Sequence, residues 1–237
     1  MSAARVAVVG AGSWGTALAS VLAKNGHDVM LWALEPEVAS SVAEQRCNPL
    51  YLPDVTLPPI GATTDLAEAV ADAELIVSVA PSQHVGEVMG RAAPYLRSDA
   101  LVLSASKGIE IQTLRRMDQV LEDCLSSEQM SRFSVISGPS FAFEVAREAP
   151  TAVVTASHDL AAAVRVQELF QNGFLRVYTN PDVIGVEVGG ALKNVIALAA
   201  GVAAGLGFGH NTLAALITRG LAEITRLGLA MGARRRL

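Results

Sequence analysis

The 237-residue chain is poor in the residues from which several common kinds of site are built. It has two cysteines, Cys47 and Cys124, far apart and in no CxxC pattern, so neither a disulfide framework nor a metal site is expected. Two unpaired thiols suit a reducing cytoplasm. Lysine is scarce, with only Lys24, Lys107 and Lys193. The formal net charge of −5 excludes a nucleic-acid binder, which needs a basic surface to displace counterions. The single basic cluster, Arg234-Arg235-Arg236, reads as a solvated tail. Met1 to Arg5 lacks the apolar core of a signal peptide. The most apolar stretch, Val195 to Leu206, is shorter than the roughly 20 residues a bilayer span requires. It is expected to be a buried core helix, with no membrane span.

What is present is a chain 51% hydrophobic, rich enough in apolar residues to bury a substantial core. Arg5 to Val9 is a continuous apolar run, as in a strand buried on both faces of a parallel sheet. Thr16 to Asn25 reads as a helix stopped by Gly26, and Asp28 to Trp32 as a second strand. This is a βαβ unit in about 30 residues. Further strands are expected at Leu75–Ala80, Leu101–Ser104, Phe133–Ile136, Ala152–Thr155 and Leu175–Tyr178. Helices are expected at Pro36–Gln45, Ser82–Tyr95, Gln112–Leu125 and Leu160–Gln171. Asn48 to Pro59 holds four prolines and reads as an irregular loop. After Asn180-Pro181 the texture turns to Ala, Leu and Gly without strand-like segments. The fold class is therefore α/β: a Rossmann-type, mostly parallel sheet with helices on both faces over residues 1–181, then an all-helical domain over 182–237.

Five places carry chemistry. Gly10-Ala11-Gly12-Ser13-Trp14-Gly15 sits where the first strand turns into a helix. Gly10 permits the tight turn, Gly12 lets the backbone approach a pyrophosphate, and Gly15 lets helix and strand pack closely. The helix N-terminus then faces the phosphates of a nicotinamide dinucleotide. Glu35, twenty residues after Gly15, is either the acceptor for an adenosine ribose, favouring NAD over NADP, or merely a first-turn helix acid before Pro36. Lys107 follows a strand end, where ligands collect in open α/β sheets. Ser137-Gly138-Pro139-Ser140 forms a rigid turn at another strand end. Lys193 lies in an apolar helical segment, on one face with Gly190, Asn194 and Ala197, where partial burial suits proton transfer. The histidines, His27, His84, His158 and His210, share no ligand spacing.

Together, the segments Gly10–Ala19, Asn48–Pro58, Ser104–Glu110, Ser137–Ala146 and Gly185–Glu223 resemble the NAD(P)-dependent glycerol-3-phosphate dehydrogenases of bacterial type. The resemblance runs through nearly the whole chain in order. It implies hydride transfer between sn-glycerol 3-phosphate and dihydroxyacetone phosphate, with NAD or NADP as cofactor, in a cytoplasmic homodimer that supplies phospholipid synthesis. It implies Lys193 as the general acid/base, and Lys107, Gly138, Ser140 and Asn194 around the phosphorylated substrate. Ser13, Trp14, Ala142 and Lys107 are implied to touch the dinucleotide. Three departures stand out. Leu34 occupies the place of a basic or polar residue, and Ala204 that of an acid. The match also stops after Gly232, where relatives continue with an Asp near the lysine and an Arg-Asn pair for the substrate phosphate. A chain truncated there is expected to expose apolar helix surface and to hold cofactor better than it turns over. The alternatives are another two-domain Rossmann dehydrogenase, of the β-hydroxyacid or 6-phosphogluconate type, and a non-catalytic dinucleotide-binding chain.

Overall fold

A computed structural model describes residues 3–234; Arg235 and Arg236 of the basic cluster lie outside the described residues, as do Met1 and Ser2. β1 (Arg5–Val9) is apolar on both faces and turns at Gly10 into α1 (Ser13–Lys24). Gly26, at φ +87°, ends that helix and leads into β2 (Asp28–Trp32). α2 (Pro36–Gln45) starts on a proline whose ring pre-sets a helical φ. β3 (Gly61–Thr63) follows, then α3 (Leu66–Val70), β4 (Leu75–Ser78), α4 (Val85–Ala92) and β5 (Leu101–Ser104). The chain continues through α5 (Met117–Leu121), α6 (Ser127–Ser131), β6 (Ser134–Ser137), α7 (Ala142–Ala146), β7 (Thr151–Ser157), α8 (Leu160–Phe170) and β8 (Leu175–Asn180). Two long helices end it: α9 (Val183–Gly205) and α10 (His210–Ala230).

All eight strands join one sheet in the order β3-β2-β1-β4-β5-β6-β7-β8. Every pairing is parallel except β6 with β7, which is antiparallel. Side chains alternate along β1, so Val6 and Val8 enter one core layer with Leu18, Leu22 and Phe170. Ala7 and Val9 enter the other, with Ile76, Met89 and Leu121. The strand order reverses between β1 and β4, and that reversal opens a crevice at their carboxyl ends.

Where the structure departs from expectation, the reasons are local. β3 is only Gly-Ala-Thr, too short and too small to stand out as a strand. The helix expected over Gln112–Leu125 is reduced to α5, because Leu114 takes a left-handed φ of +57° and its N–H closes a turn on the Glu110 carbonyl. The expected helix over Ser82–Tyr95 is α4 flanked by tight turns at Ser82–His84 and Ala93–Tyr95. The Asn48–Pro59 loop is irregular, yet Asn48, Leu52, Val55 and Leu57 are buried, so it packs as a strap rather than hanging free.

The apolar stretch Val195–Leu206 is not a buried core helix. It is the outer half of α9 with its C-cap residue, Leu198 being 73% and Leu206 70% exposed. The whole helix has 23 residues, and mean hydropathy reaches 1.6 in its most apolar window, long and apolar enough to cross a membrane. The helix is longer than that apolar run because it starts at Val183, well before it. Its first turns are buried against the sheet through Val183, Val186 and Val188. α10 packs back on α9 through Gly220, where a Cβ would come within 2.4 Å of Ile196 Cδ1.

Candidate functional site

The crevice at the β1–β4 switch holds an open cavity of about 640 Å³. Its floor is the glycine turn. Gly10 sits at φ +128°, and a Cβ there would lie 3.0 Å from the backbone of Val79 and Ala80. A Cβ on Gly15 would lie 1.9 Å from the Gly10 carbonyl oxygen, so helix and turn meet backbone to backbone. A Cβ on Gly12 would meet nothing within 4 Å, so its backbone faces open space. Gly12 also caps α1 without a side-chain hydrogen bond, leaving the first-turn amides to point into the cleft. These are the three separate demands a pyrophosphate makes on such a turn. The residues fit a dinucleotide.

One end of the cleft is lined by Leu34, Glu35 and Tyr51. Glu35 caps α2 only through its backbone; its side chain instead accepts a 2.7 Å hydrogen bond from the Tyr51 hydroxyl. The carboxylate next to it raises the Tyr51 pKa, keeping the phenol protonated and donating. The strap that carries Tyr51 is tied to the glycine turn. Asn48 donates through Nδ2 to the Ala11 carbonyl (2.9 Å) and to Thr16 Oγ1 (2.8 Å), while its Oδ1 accepts from the Tyr51 N–H. Ser13 donates to the Tyr51 carbonyl.

The other end carries the lysines. Lys107 hangs from the loop after β5, lies 5.1 Å from the centre of the Trp14 ring, and donates to Ser140 Oγ at 2.8 Å. Burial, and after it the nearby Lys193, push its pKa down to about 8. Lys193 projects from α9 and donates to the Gly138 carbonyl at 3.0 Å. Two ammonium groups thus converge on the Gly138–Ser140 turn. Among the described residues neither forms an ion pair, whereas Lys24 is bound to Glu148. A pair of close, half-desolvated cations without a carboxylate is arranged for an anion from outside.

The first turns of α9 are held by a buried cluster that sequence reasoning missed. Arg116 Nη2 lies 2.9 Å from Asp118 Oδ2, and Glu187 Oε1 accepts from the Asp118 N–H at 3.0 Å. Burial and the Asp118 charge push Glu187 up to about 9, toward the neutral acid. Glu187 stands less than two turns before Lys193, so the cluster anchors the part of α9 that leads into that lysine. Arg116 and Asp118 are two residues apart, but Glu187 lies 69 residues beyond Asp118, and nothing in the local spacing marks the three as a cluster. Tyr51 and Asn48 were visible only as members of a proline-rich loop and of one family-like segment, without a role of their own.

Most expected site residues come together. Gly10, Gly12, Ser13, Trp14, Gly15, Glu35, Lys107 and Ser140 all line the cleft. Gly138 and Lys193 stand at its edge, joined to each other and, through Ser140 and its bond to Lys107, to the lining. Ala142 begins α7 and packs against the core beside the turn. Asn194 is exposed and outside the lining of the cleft. His84 does line the cleft, and His27 is buried, its ring 3.2 Å from the Leu169 carbonyl oxygen. Among the described residues no His/Cys/Asp/Glu group could hold a metal ion.

Comparison with known proteins agrees with this geometry. Residues 5–163 match the family model for the N-terminus of NAD-dependent glycerol-3-phosphate dehydrogenase, and residues 182–237 the model for its C-terminus. A glycerol-3-phosphate dehydrogenase (NAD(P)+) of Citrifermentans bemidjiense is 54% identical over 98% of this chain and 69% of its own length. That of Geobacter metallireducens is 56% identical over 97% and 69%. The glycerol-3-phosphate dehydrogenase of Coxiella burnetii superposes with a TM-score of 0.88 at 37% identity, over 98% of this chain and 70% of that one. A ketopantoate reductase of Ralstonia eutropha, at 20% identity and a TM-score of 0.57, shares the fold alone. Both family models and relatives more than half identical place this chain in the NAD-dependent glycerol-3-phosphate dehydrogenase family.

Proposed function

We propose that this chain interconverts sn-glycerol 3-phosphate and dihydroxyacetone phosphate, using NAD or NADP held over the Gly10–Gly15 turn. The observation that carries the reading is the convergence of Lys107 and Lys193 on the Gly138–Ser140 turn, beside a cleft shaped for a dinucleotide. The bound nicotinamide supplies or accepts the hydride. Lys193 gives a proton to the substrate carbonyl oxygen during reduction and takes the hydroxyl proton back during oxidation, so carbonyl, hydride and proton balance to the alcohol. Lys107 offers its charge to both anionic ligands, with Ser140 orienting its ammonium. Gly138 and Ser140 complete the substrate side, with Asn194 assigned to its solvent-exposed rim beside Lys193; Ser13, Trp14 and Ala142 complete the cofactor side.

We further assign residues 1–181 to dinucleotide binding and 182–237 to a helical substrate domain, and the protein to a cytoplasmic homodimer that supplies glycerol 3-phosphate for phospholipids. Two free thiols accord with a reducing compartment. α9 belongs in the protein rather than a bilayer, because the buried Glu187 and the ammonium of Lys193 lie within it. The Glu35 carboxylate in the cleft favours NAD, since a 2′-phosphate beside it would meet like charge.

The test is NADH oxidation dependent on dihydroxyacetone phosphate, followed by absorbance. Lys193→Ala is expected to lower turnover by about 10²–10⁴-fold while NADH still binds. Turnover unchanged in that variant would remove the lysine from its role.

A further inference from the structure

The cofactor end of the cleft is built from two unrelated pieces of chain. Glu35 stands at the entrance to α2, next to Leu34, which is 67% exposed, and nothing in α2 takes up its carboxylate. Tyr51 comes from the strap, whose anchor, Asn48, is completely buried and bonded to the glycine turn itself. We infer that Tyr51 is a specificity-determining residue, a latch that holds the Glu35 carboxylate over the cleft and thereby sets the preference between NADH and NADPH. This rests on the reading of the cleft as a dinucleotide site.

The physical argument has three steps. A glutamate at an open helix entrance samples several rotamers, and one that turns to water neither binds a ribose hydroxyl nor repels a 2′-phosphate. The 2.7 Å hydrogen bond from Tyr51 removes that freedom through Oε1 and leaves Oε2 able to accept. Tyr51 can impose this because its backbone is fixed on both sides, its N–H on Asn48 and its carbonyl by Ser13. Selectivity therefore depends on a phenol 16 residues from Glu35 in sequence, carried by a strap bonded to the same turn that grips the pyrophosphate.

Direct titration of the whole chain with NADH and with NADPH, by calorimetry, tests this without requiring turnover. The unaltered chain is expected to bind NADH more tightly. Tyr51→Phe keeps the ring and deletes the donor. It is expected to weaken NADH by about threefold to tenfold, with NADPH unchanged or tighter. In a Glu35→Gln background, which itself narrows the preference, the same change should alter NADH affinity less than about twofold, because the latch then has no carboxylate to hold. A merely structural Tyr51 would weaken both cofactors alike. That result, or a full Tyr51→Phe effect surviving in Glu35→Gln, overturns the latch. If Glu35→Gln shifts the preference while Tyr51→Phe does not, the latch fails and the assignment of Glu35 stands. If the unaltered chain binds neither cofactor, the dinucleotide reading itself is lost, and the latch with it.

Discussion

In the sheet, β4, β5 and β6 bury every one of their residues, polar ones included; in α9 and α10, leucines and valines as large as any in the core stand in the open. Leu198, Val202, Leu206 and Leu221 are each at least 60% exposed. The difference lies in what each element can cover unaided. A parallel strand is covered by its two neighbours and by helices on both faces, supplied mostly within residues 5–180, with the first turns of α9 closing the β6–β7 end. The helical pair has only itself and the sheet end beneath its first turns, and two cylinders in contact leave most of their surface facing outward. The relatives matched by the chain are longer, and it spans about 69% of their length. Stability and chemistry are accordingly divided: the sheet is covered almost wholly by its own segment, and the candidate site draws one lysine from each side.

That division can be broken most sharply by truncating a side chain in each half. Leu18, fully buried behind the glycine turn, should cost about 2–5 kcal/mol on Leu18→Ala. Urea unfolding would measure this, and a loss below about 1 kcal/mol would mean the sheet core is not the source of stability. A middle-sized effect concerns the sheet-borne lysine. Lys107 is held down to about 8, so its cationic fraction falls as pH rises through that value, while an anionic ligand binds best to the cation. NADH affinity should therefore weaken above pH 8, by at most about tenfold per pH unit, and the decline should vanish in Lys107→Met. A decline unchanged in that variant would place the titrating group elsewhere. The smallest effect is expected on the exposed face of α9. Leu198→Gln should change unfolding free energy by less than about 0.5 kcal/mol while improving solubility, and a loss comparable to Leu18→Ala would show that this face is covered in solution.

Much of the fold was legible because its signals are local. The run Arg5–Val9, the spacing of Gly10, Gly12 and Gly15, and the stop at Gly26 each specify their own backbone within a few residues. Gly15 could be assigned to close packing from its place in the motif, and its Cβ position on the Gly10 carbonyl agrees. The misreadings are also local. Gln112, Leu114, Arg115 and Arg116 are all good helix formers, but Leu114 adopts a left-handed turn two residues before Arg116, whose side chain meets Glu187. Tertiary need overrode propensity there.

The cofactor class, most of the strands and longer helices, and the family blocks follow from short-range pattern. The meeting of Lys107 with Lys193, of Tyr51 with Glu35, and of Arg116 with Asp118 and Glu187 was decided by packing. Hydrophobic periodicity states which face of an element is buried, but carries no record of its neighbour. The same holds for α9, whose apolar composition fits a core helix or a membrane span equally well; the burial of its first turns on the sheet, with the exposure of the rest, came only from the assembled fold.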